Sequence, residues 1–162
     1  MSITSGIGLH PDCQAAVTQL SMKKSLANKD KAQYRYIIFD FENNYEQVVV
    51  LKTGEEAHGK TPKEEYEDFL GAWTAPNLSS LAVYDMPYTT KAGALHSTPI
   101  LLHYNADNSS SNITRMMERI KRRMIAVNTL EVMRRTFKVG LVMSEETESD
   151  LEYDLVLKQL EK

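Results

Sequence analysis

The residues with the most chemical potential form a basic segment in the last third of the sequence. Between Asn112 and Lys138 there are eight basic and two acidic side chains, a net charge of +6 in a chain of net charge −3. A basic segment on an acidic body favours an acidic partner, and a solvated helix face is the plain alternative. The basic side chains are Arg115, Arg119, Lys121, Arg122, Arg123, Arg134, Arg135 and Lys138.

Residue patterns for catalysis or metal binding are missing from the sequence. There is no Walker A loop, no dinucleotide-binding glycine motif and no nucleophile elbow. The single cysteine, Cys13, falls on the apolar face of a predicted helix, where we expect it to pack. We therefore predict no enzyme activity, no metal and no other cofactor. The histidines lie too far apart for a metal-ligand motif: they are His10, His58, His96 and His103.

The composition is that of an ordinary globular chain. Its 162 residues, 42% hydrophobic and 25% charged, suit one compact domain. One cysteine fits a reducing compartment, so we expect a cytoplasmic protein. No apolar run approaches the roughly 20 residues of a transmembrane helix, and no secretory signal is evident. The basic segment lacks interleaved surface aromatics, which argues against nucleic-acid binding.

Hydrophobic patterning predicts a chain in which strands and helices mix without regular alternation. Residues 1–9 are expected to form a flexible arm, with the folded domain over residues 10–162. The order of elements predicts an α+β fold, with a mixed sheet between layers of helices. The predicted strands are 34–41, 48–51, 81–88, 99–104 and 138–143, and the predicted helices are 11–22, 62–70, 113–127, 130–137 and 151–160.

The clearest periodicity lies within the basic segment. Six apolar residues recur at helical spacing and predict an amphipathic helix of about four turns, with the basic residues on its outer face. Asn128 and Thr129 are expected to break this helix before a second, short one. The apolar residues are Ile113, Met116, Met117, Ile120, Met124 and Val127.

Short motifs along the chain resemble those of the ADF/cofilin family, in the same order. Ser5-Gly6-Ile7 resembles the family's N-terminal arm, and residues 66–70 (YEDFL) and 81–85 (LAVYD) resemble a helix and a strand motif. The most specific match is KRRMIAVNTLEVMRR, from residue 121 to residue 135. The resemblance covers nearly the whole chain. It implies a single ADF-homology domain with a central mixed sheet of five or six strands, flanked by helices on both faces.

The same resemblance implies that the protein binds monomeric actin and regulates filament turnover in the cytoskeleton. The basic long helix and the N-terminal arm would make the contact, and a monomeric protein is expected. Ser5 is the candidate phosphorylation site, with Ser2 or Thr4 as alternative acceptors. The implied contact residues are Ser5, Gly6, Lys121, Arg123, Met124 and Glu131.

The chain departs from the family at the loop before the fourth strand. Family members carry a basic cluster there that grips a second actin in the filament, whereas residues 93–98 read GALHST, with Lys91 nearby. Lys158 and Lys162 on the last helix could compensate in part. We therefore expect filament binding and severing to be weak.

Two other partners stay open at the level of sequence. A protein similar to glia maturation factor would bind the actin-related Arp2/3 complex. A polybasic helix could instead bind phosphoinositides, since each cation adds roughly 1 kcal/mol at an anionic membrane surface.

Overall fold

The computed structural model describes residues 7–21, 34–42, 45–56, 59–106, 111–145 and 151–160. Within these ranges six strands and four helices follow one another along the chain. The strands are β1 (Gly8–Leu9), β2 (Tyr34–Glu42), β3 (Gln47–Glu55), β4 (Ser80–Thr89), β5 (Leu95–Tyr104) and β6 (Leu141–Glu145). The helices are α1 (Pro11–Ser21), α2 (Pro62–Thr74), α3 (Ile113–Phe137) and α4 (Tyr153–Leu160).

The strands form one mixed sheet in the order β1-β3-β2-β4-β5-β6. The four central strands are antiparallel, while β1 pairs with β3 and β6 pairs with β5 in parallel. A parallel pair needs a crossover connection, and α3 supplies it between β5 and β6. The predicted fold, an α+β domain with a mixed sheet of five or six strands between helices, is confirmed.

Alternation along β2 divides the core into two layers. Ile37 and Phe39 face the layer of α1 and α3, whereas Ile38 faces the layer of α2 and α4. All three are nearly inaccessible to water, as the central position of β2 requires. The central strands thus read as apolar runs because helices cover both faces.

Helix α2 begins where the sequence predicts. The Thr61 hydroxyl accepts a hydrogen bond from the Glu64 amide, and the Glu64 carboxylate accepts one from the Thr61 amide, both at 3.2 Å. Pro62 occupies the first helical position, where its missing N–H costs no hydrogen bond. The helix continues to Thr74, beyond the predicted end at residue 70, and buries Trp73 in the core.

Three details near strand ends differ from the sequence prediction. The arm predicted over residues 1–9 includes β1, which runs beside the start of β3, while residues 1–6 lie outside the described ranges. Pro99 lies inside β5 and does not start it, and β6 pairs only from Ile100 onward. Pro99 is therefore in the part of β5 that forms the sheet edge, where proline is tolerated. Lys138 caps α3 in a left-handed conformation, so β6 begins three residues later than predicted.

Candidate functional site

The basic segment forms one uninterrupted helix, α3, of 25 residues. The predicted break at Asn128 and Thr129 is wrong. The Thr129 hydroxyl donates to the Ile125 carbonyl at 2.7 Å, so this buried polar group finds its partner inside the helix. The Asn112 side chain caps the start by accepting from the Arg115 amide at 3.1 Å.

The second half of α3 is anchored in the core. Its buried residues, Ala126, Thr129, Met133 and Phe137, follow a helical repeat and face β4, β5 and α1. Phe137 stacks on Phe39 with ring centroids 5.8 Å apart. This set fixes which side of the whole helix faces the sheet.

The first half of α3 presents apolar side chains to solvent. The periodic apolar face lies nearly opposite the buried set, so its residues point outward, and the sequence prediction of an inward apolar face and an outward basic face is wrong there. The exposed fractions run from 39% to 69%. We call this surface the α3 ridge; its residues are Ile113, Met117, Ile120, Met124 and Val127.

Arg122 turns inward and ties α3 to the sheet. Its Nε donates to the Ser79 carbonyl at 2.6 Å, and its Nη2 donates to Asp40 Oδ1 at 3.0 Å. The guanidinium also lies 5.2 Å from the centre of the Phe41 ring. The sequence pattern predicts that Arg122 is one of several outward cations. In the structure, its hydrogen bonds instead anchor α3 to the sheet.

Lys121 stands beside the start of the N-terminal strand. Its exposed amino group lies 5.2 Å from the centre of the Tyr45 ring, a cation–π contact. Next to Tyr45, the Glu46 carbonyl accepts from the Gly8 amide at 2.9 Å. The β2–β3 turn therefore holds both Lys121 and the first residues after the arm.

Arg123, on the other flank of the ridge, is half-buried, and its charge acts on His103 of β5. The His103 ring is buried, and its Nδ1 is 2.7 Å from Ser144 Oγ. Burial, with a smaller contribution from the charge of Arg123, lowers the His103 pKa to about 4. His103 is therefore neutral at physiological pH, and we interpret it as a buried residue that packs in the fold.

Met124 and Glu131 continue along the outer side of α3. Met124 is 62% exposed, as an adaptable apolar contact requires. Glu131 accepts hydrogen bonds from Arg134 at 2.6 and 3.0 Å and pairs with Arg135 at 3.5 Å. The hydrogen bond from Arg134 is the main reason that the Glu131 pKa is lowered. Its charge is thus already matched within the helix.

The other predicted site residues lie elsewhere or outside the described ranges. Lys91 is in the exposed turn between β4 and β5, and Lys158 is exposed on α4, in the layer opposite α3. Cys13 is buried as predicted, and burial raises its pKa to about 11, so the thiol is protonated. Ser2, Thr4, Ser5, Gly6 and Lys162 lie outside the described residues, as does His58.

Tyr45, Phe41 and Asp40 are neighbours of the basic helix that sequence reasoning missed. The sequence does carry one signal for the orientation of α3. A second set of residues recurs at helical spacing along it: Ala126, Thr129, Met133 and Phe137. Two opposed stripes on one helix indicate that one of them faces outward. No comparable signal marks the residues of the sheet end.

The described part of the chain holds no cluster of His, Cys, Asp or Glu side chains arranged to bind a metal ion. Among the helices of the described ranges, none has the length and apolarity that crossing a bilayer demands.

Comparison with known proteins shows which family has sequences similar to this chain. The model of the cofilin/tropomyosin-type actin-binding proteins matches residues 6–161. The actin-depolymerizing factor of Vitis vinifera is 28% identical over 148 residues, covering 90% of this chain and 92% of that protein. Actin-depolymerizing factor 2 of Petunia hybrida is 31% identical over 105 residues, 65% of this chain and 63% of that protein. For several relatives the match spans about half of the relative's own length. For actin-depolymerizing factor 2 of rice, it spans 50% of that protein.

Solved structures share the fold at lower identity. Actin depolymerization factor 2 of Plasmodium berghei superposes with a TM-score of 0.72 at 16% identity, covering 97% of this chain and 99% of that one. An ADF-like protein of Caenorhabditis elegans gives 0.69 at 21% identity, with 98% and 96% covered. The glia maturation factor of the same organism gives 0.62 at 8% identity, with 94% of each chain covered. The match of the family model over nearly the whole sequence shows that the chain belongs to the ADF/cofilin family of actin-binding proteins.

Proposed function

We propose that the protein binds monomeric actin through the α3 ridge and its basic flanks, and binds filaments weakly. The observation that carries the proposal is the outward apolar ridge with Lys121 on one flank and Arg123 on the other. Exposed apolar patches rimmed by polar groups mark interaction sites, and the two cations favour an acidic partner. Membership of an actin-binding family supports actin as that partner.

The N-terminal arm is proposed to complete this surface. Gly8 is hydrogen-bonded to Glu46, beside the Tyr45 ring that Lys121 contacts. Ser5 precedes Gly8 by three residues, a reach of about 10 Å for an extended chain. Ser5 and Gly6 can therefore reach the Lys121 flank, and we propose both as part of the contact.

Binding to labelled actin monomers tests the proposal. Replacing Lys121 and Arg123 together by Glu is expected to abolish binding while circular dichroism shows the fold intact. The control is Lys63→Glu on the far layer, which reverses one charge where the double variant reverses two, and it is expected to leave affinity unchanged. Unchanged affinity in the double variant would place the interface elsewhere.

A phosphate on the arm is proposed to regulate the contact. Negative charge at Ser5 would repel acidic actin and could pair with Lys121. Ser5→Glu is therefore expected to weaken monomer binding at least several-fold, and Ser2→Glu less so because Ser2 lies farther from Gly8. Equal effects of both variants would argue against a specific site at Ser5.

The weak filament site is proposed at Lys91, Lys158 and Lys162. Lys91 and Lys158 are exposed, and Lys158 lies in the layer opposite the ridge, which suits a contact with a second actin subunit. Cosedimentation is expected to show much weaker binding to filaments than to monomers. Retention by Arp2/3 complex or by phosphoinositide vesicles, with no retention by actin, would instead favour one of the two alternative partners.

A further inference from the structure

An open cleft of about 350 Å³ lies at the end of the sheet, between the end of α2 and the side of α3 that faces the body. Its volume falls within the range of small-molecule sites in proteins. The α3 ridge points away from it, and none of the residues proposed to contact actin lines it. The lining residues are Ile38, Asp40, Leu51, Lys52, Ala72, Trp73, Pro76, Leu78, Ser80 and Arg122.

One wall of the cleft contains a leucine placed there by a β-bulge. Ile38 pairs with Lys52 and Phe39 pairs with Val50, so Leu51 has no opposite residue on β2. A bulge re-aims the side chain of its extra residue. Leu51 remains 61% exposed although it lines a concave surface. The wall therefore offers apolar area that the protein itself does not cover.

The cleft is also lined by Trp73, a large aromatic residue at the end of α2. Trp73 is 4% exposed, and its indole Nε1 has no hydrogen-bond partner within the described part of the protein. This N–H is itself shielded from solvent, so the Trp73 ring offers a ligand apolar contact area and not a hydrogen bond.

The charged residues that line the cleft leave a small excess of positive charge. Lys52 and Arg122 carry positive charges and Asp40 carries one negative charge, which is already hydrogen-bonded to Arg122. These groups thus favour one negative charge and hydrogen-bond acceptors on the ligand.

We propose that this cleft binds a small monoanion with an apolar body, such as an aryl carboxylate. The apolar part lies against Leu51, Leu78 and Trp73, and the carboxylate lies toward Lys52. This site is separate from the proposed actin-binding surface, and its existence does not depend on actin binding.

Trp73 gives a direct test because it is the only tryptophan in the chain. Its indole N–H produces a single resonance in a ¹H–¹⁵N spectrum of the intact protein. Titration with naphthoate is expected to shift this resonance in a saturable manner. The cationic analogue naphthylmethylammonium is expected to bind at least about tenfold more weakly, since Lys52 and Arg122 would repel it.

Two leucine variants separate the cleft from other apolar surfaces. Leu51→Asp adds a repelling charge inside the cleft and is expected to weaken naphthoate binding at least about tenfold. Leu95→Asp makes the same change at another exposed leucine, in the β4–β5 hairpin, and is expected to leave binding unchanged. Both leucines are exposed, so both variants should fold, which circular dichroism checks. An unmoved indole resonance, or equal binding by the two variants, would overturn the proposal.

Discussion

Arg122 and Lys121 are adjacent cations with opposite roles. Arg122 hydrogen-bonds Ser79 and Asp40, whereas Lys121 is exposed and contacts one aromatic ring. Arg122→Gln is expected to lower the free energy of unfolding by about 1–3 kcal/mol, because a carboxylate and a carbonyl lose a charged donor. Urea denaturation measures this loss. The matched variant Lys121→Gln should stay within about 0.5 kcal/mol of the original chain; equal losses would contradict the anchoring role.

His103 makes stability depend on pH. Its pKa falls from 6.5 to about 4 on folding, mainly through burial. Between these values the unfolded chain binds a proton that the folded chain does not, so stability decreases as the pH falls through this window. The full effect is roughly 3 kcal/mol at about 1.4 kcal/mol per pKa unit.

Urea denaturation at pH 7, 6, 5 and 4 checks this expectation. His103→Gln removes the titrating group, so its stability should fall less over this range than that of the original chain. Carboxylates titrate in both proteins, and the difference between the two pH profiles therefore isolates His103. Parallel profiles would show that the pKa of His103 does not change on folding.

At the scale of the element, the second half of α3 packs in the core, and the first half presents the ridge to solvent while Arg122 ties it to the sheet. Met133 is fully buried and Met117 is 63% exposed on the same helix. Met133→Ala is expected to cost about 2–5 kcal/mol, because it leaves a cavity. Met117→Ala should cost less than about 0.5 kcal/mol. Thermal denaturation compares the two; similar losses would mean that the first half is also packed.

Sequence patterns predicted most elements of this fold, because burial and capping leave local marks. The capping box of Thr61 and Glu64 and the apolar run of β5 are examples. Sequence patterns did not predict features that depend on contacts between residues far apart in the sequence. The orientation of α3 depends on Met133 and Phe137, whose packing against the sheet cannot be inferred from the apolar periodicity at residues 113–127.

The same limit applied to the candidate site. The resemblance implies Lys121, Arg123 and Met124 as contact residues, which stays a prediction, and in the structure all three lie on or beside the ridge. Asp40 and Ser79, which hold Arg122, lie 82 and 43 residues away from it in sequence. Strand pairing brings them together, and pairing partners carry no local pattern. The short strand β1 was missed for this reason, since two residues cannot show a period.

For the whole molecule, the separation of charge has a kinetic consequence. The basic segment carries +6 within a chain of net charge −3. If the ridge binds acidic actin, long-range attraction should speed association and weaken as salt screens it. The association rate is expected to fall about three- to tenfold as ionic strength increases from low to physiological values and above.

Stopped-flow measurement of that rate, with two matched variants, tests the effect. Lys121→Met removes one charge beside the ridge and should reduce the dependence of the rate on salt. Lys63→Met removes one charge from the exposed start of α2 and should change this dependence little. A rate that does not vary with salt would show that electrostatic attraction is unimportant for association.

The outward position of the α3 ridge also affects how such a chain can change over evolutionary time. The fold depends on the buried side of α3, so mutations at Ile113, Met117 or Ile120 meet little selection for stability. Partner preference can therefore diverge there among descendants that keep the same domain. Affinity for a new partner could be acquired by substitution on this one helix face, before any change in the core.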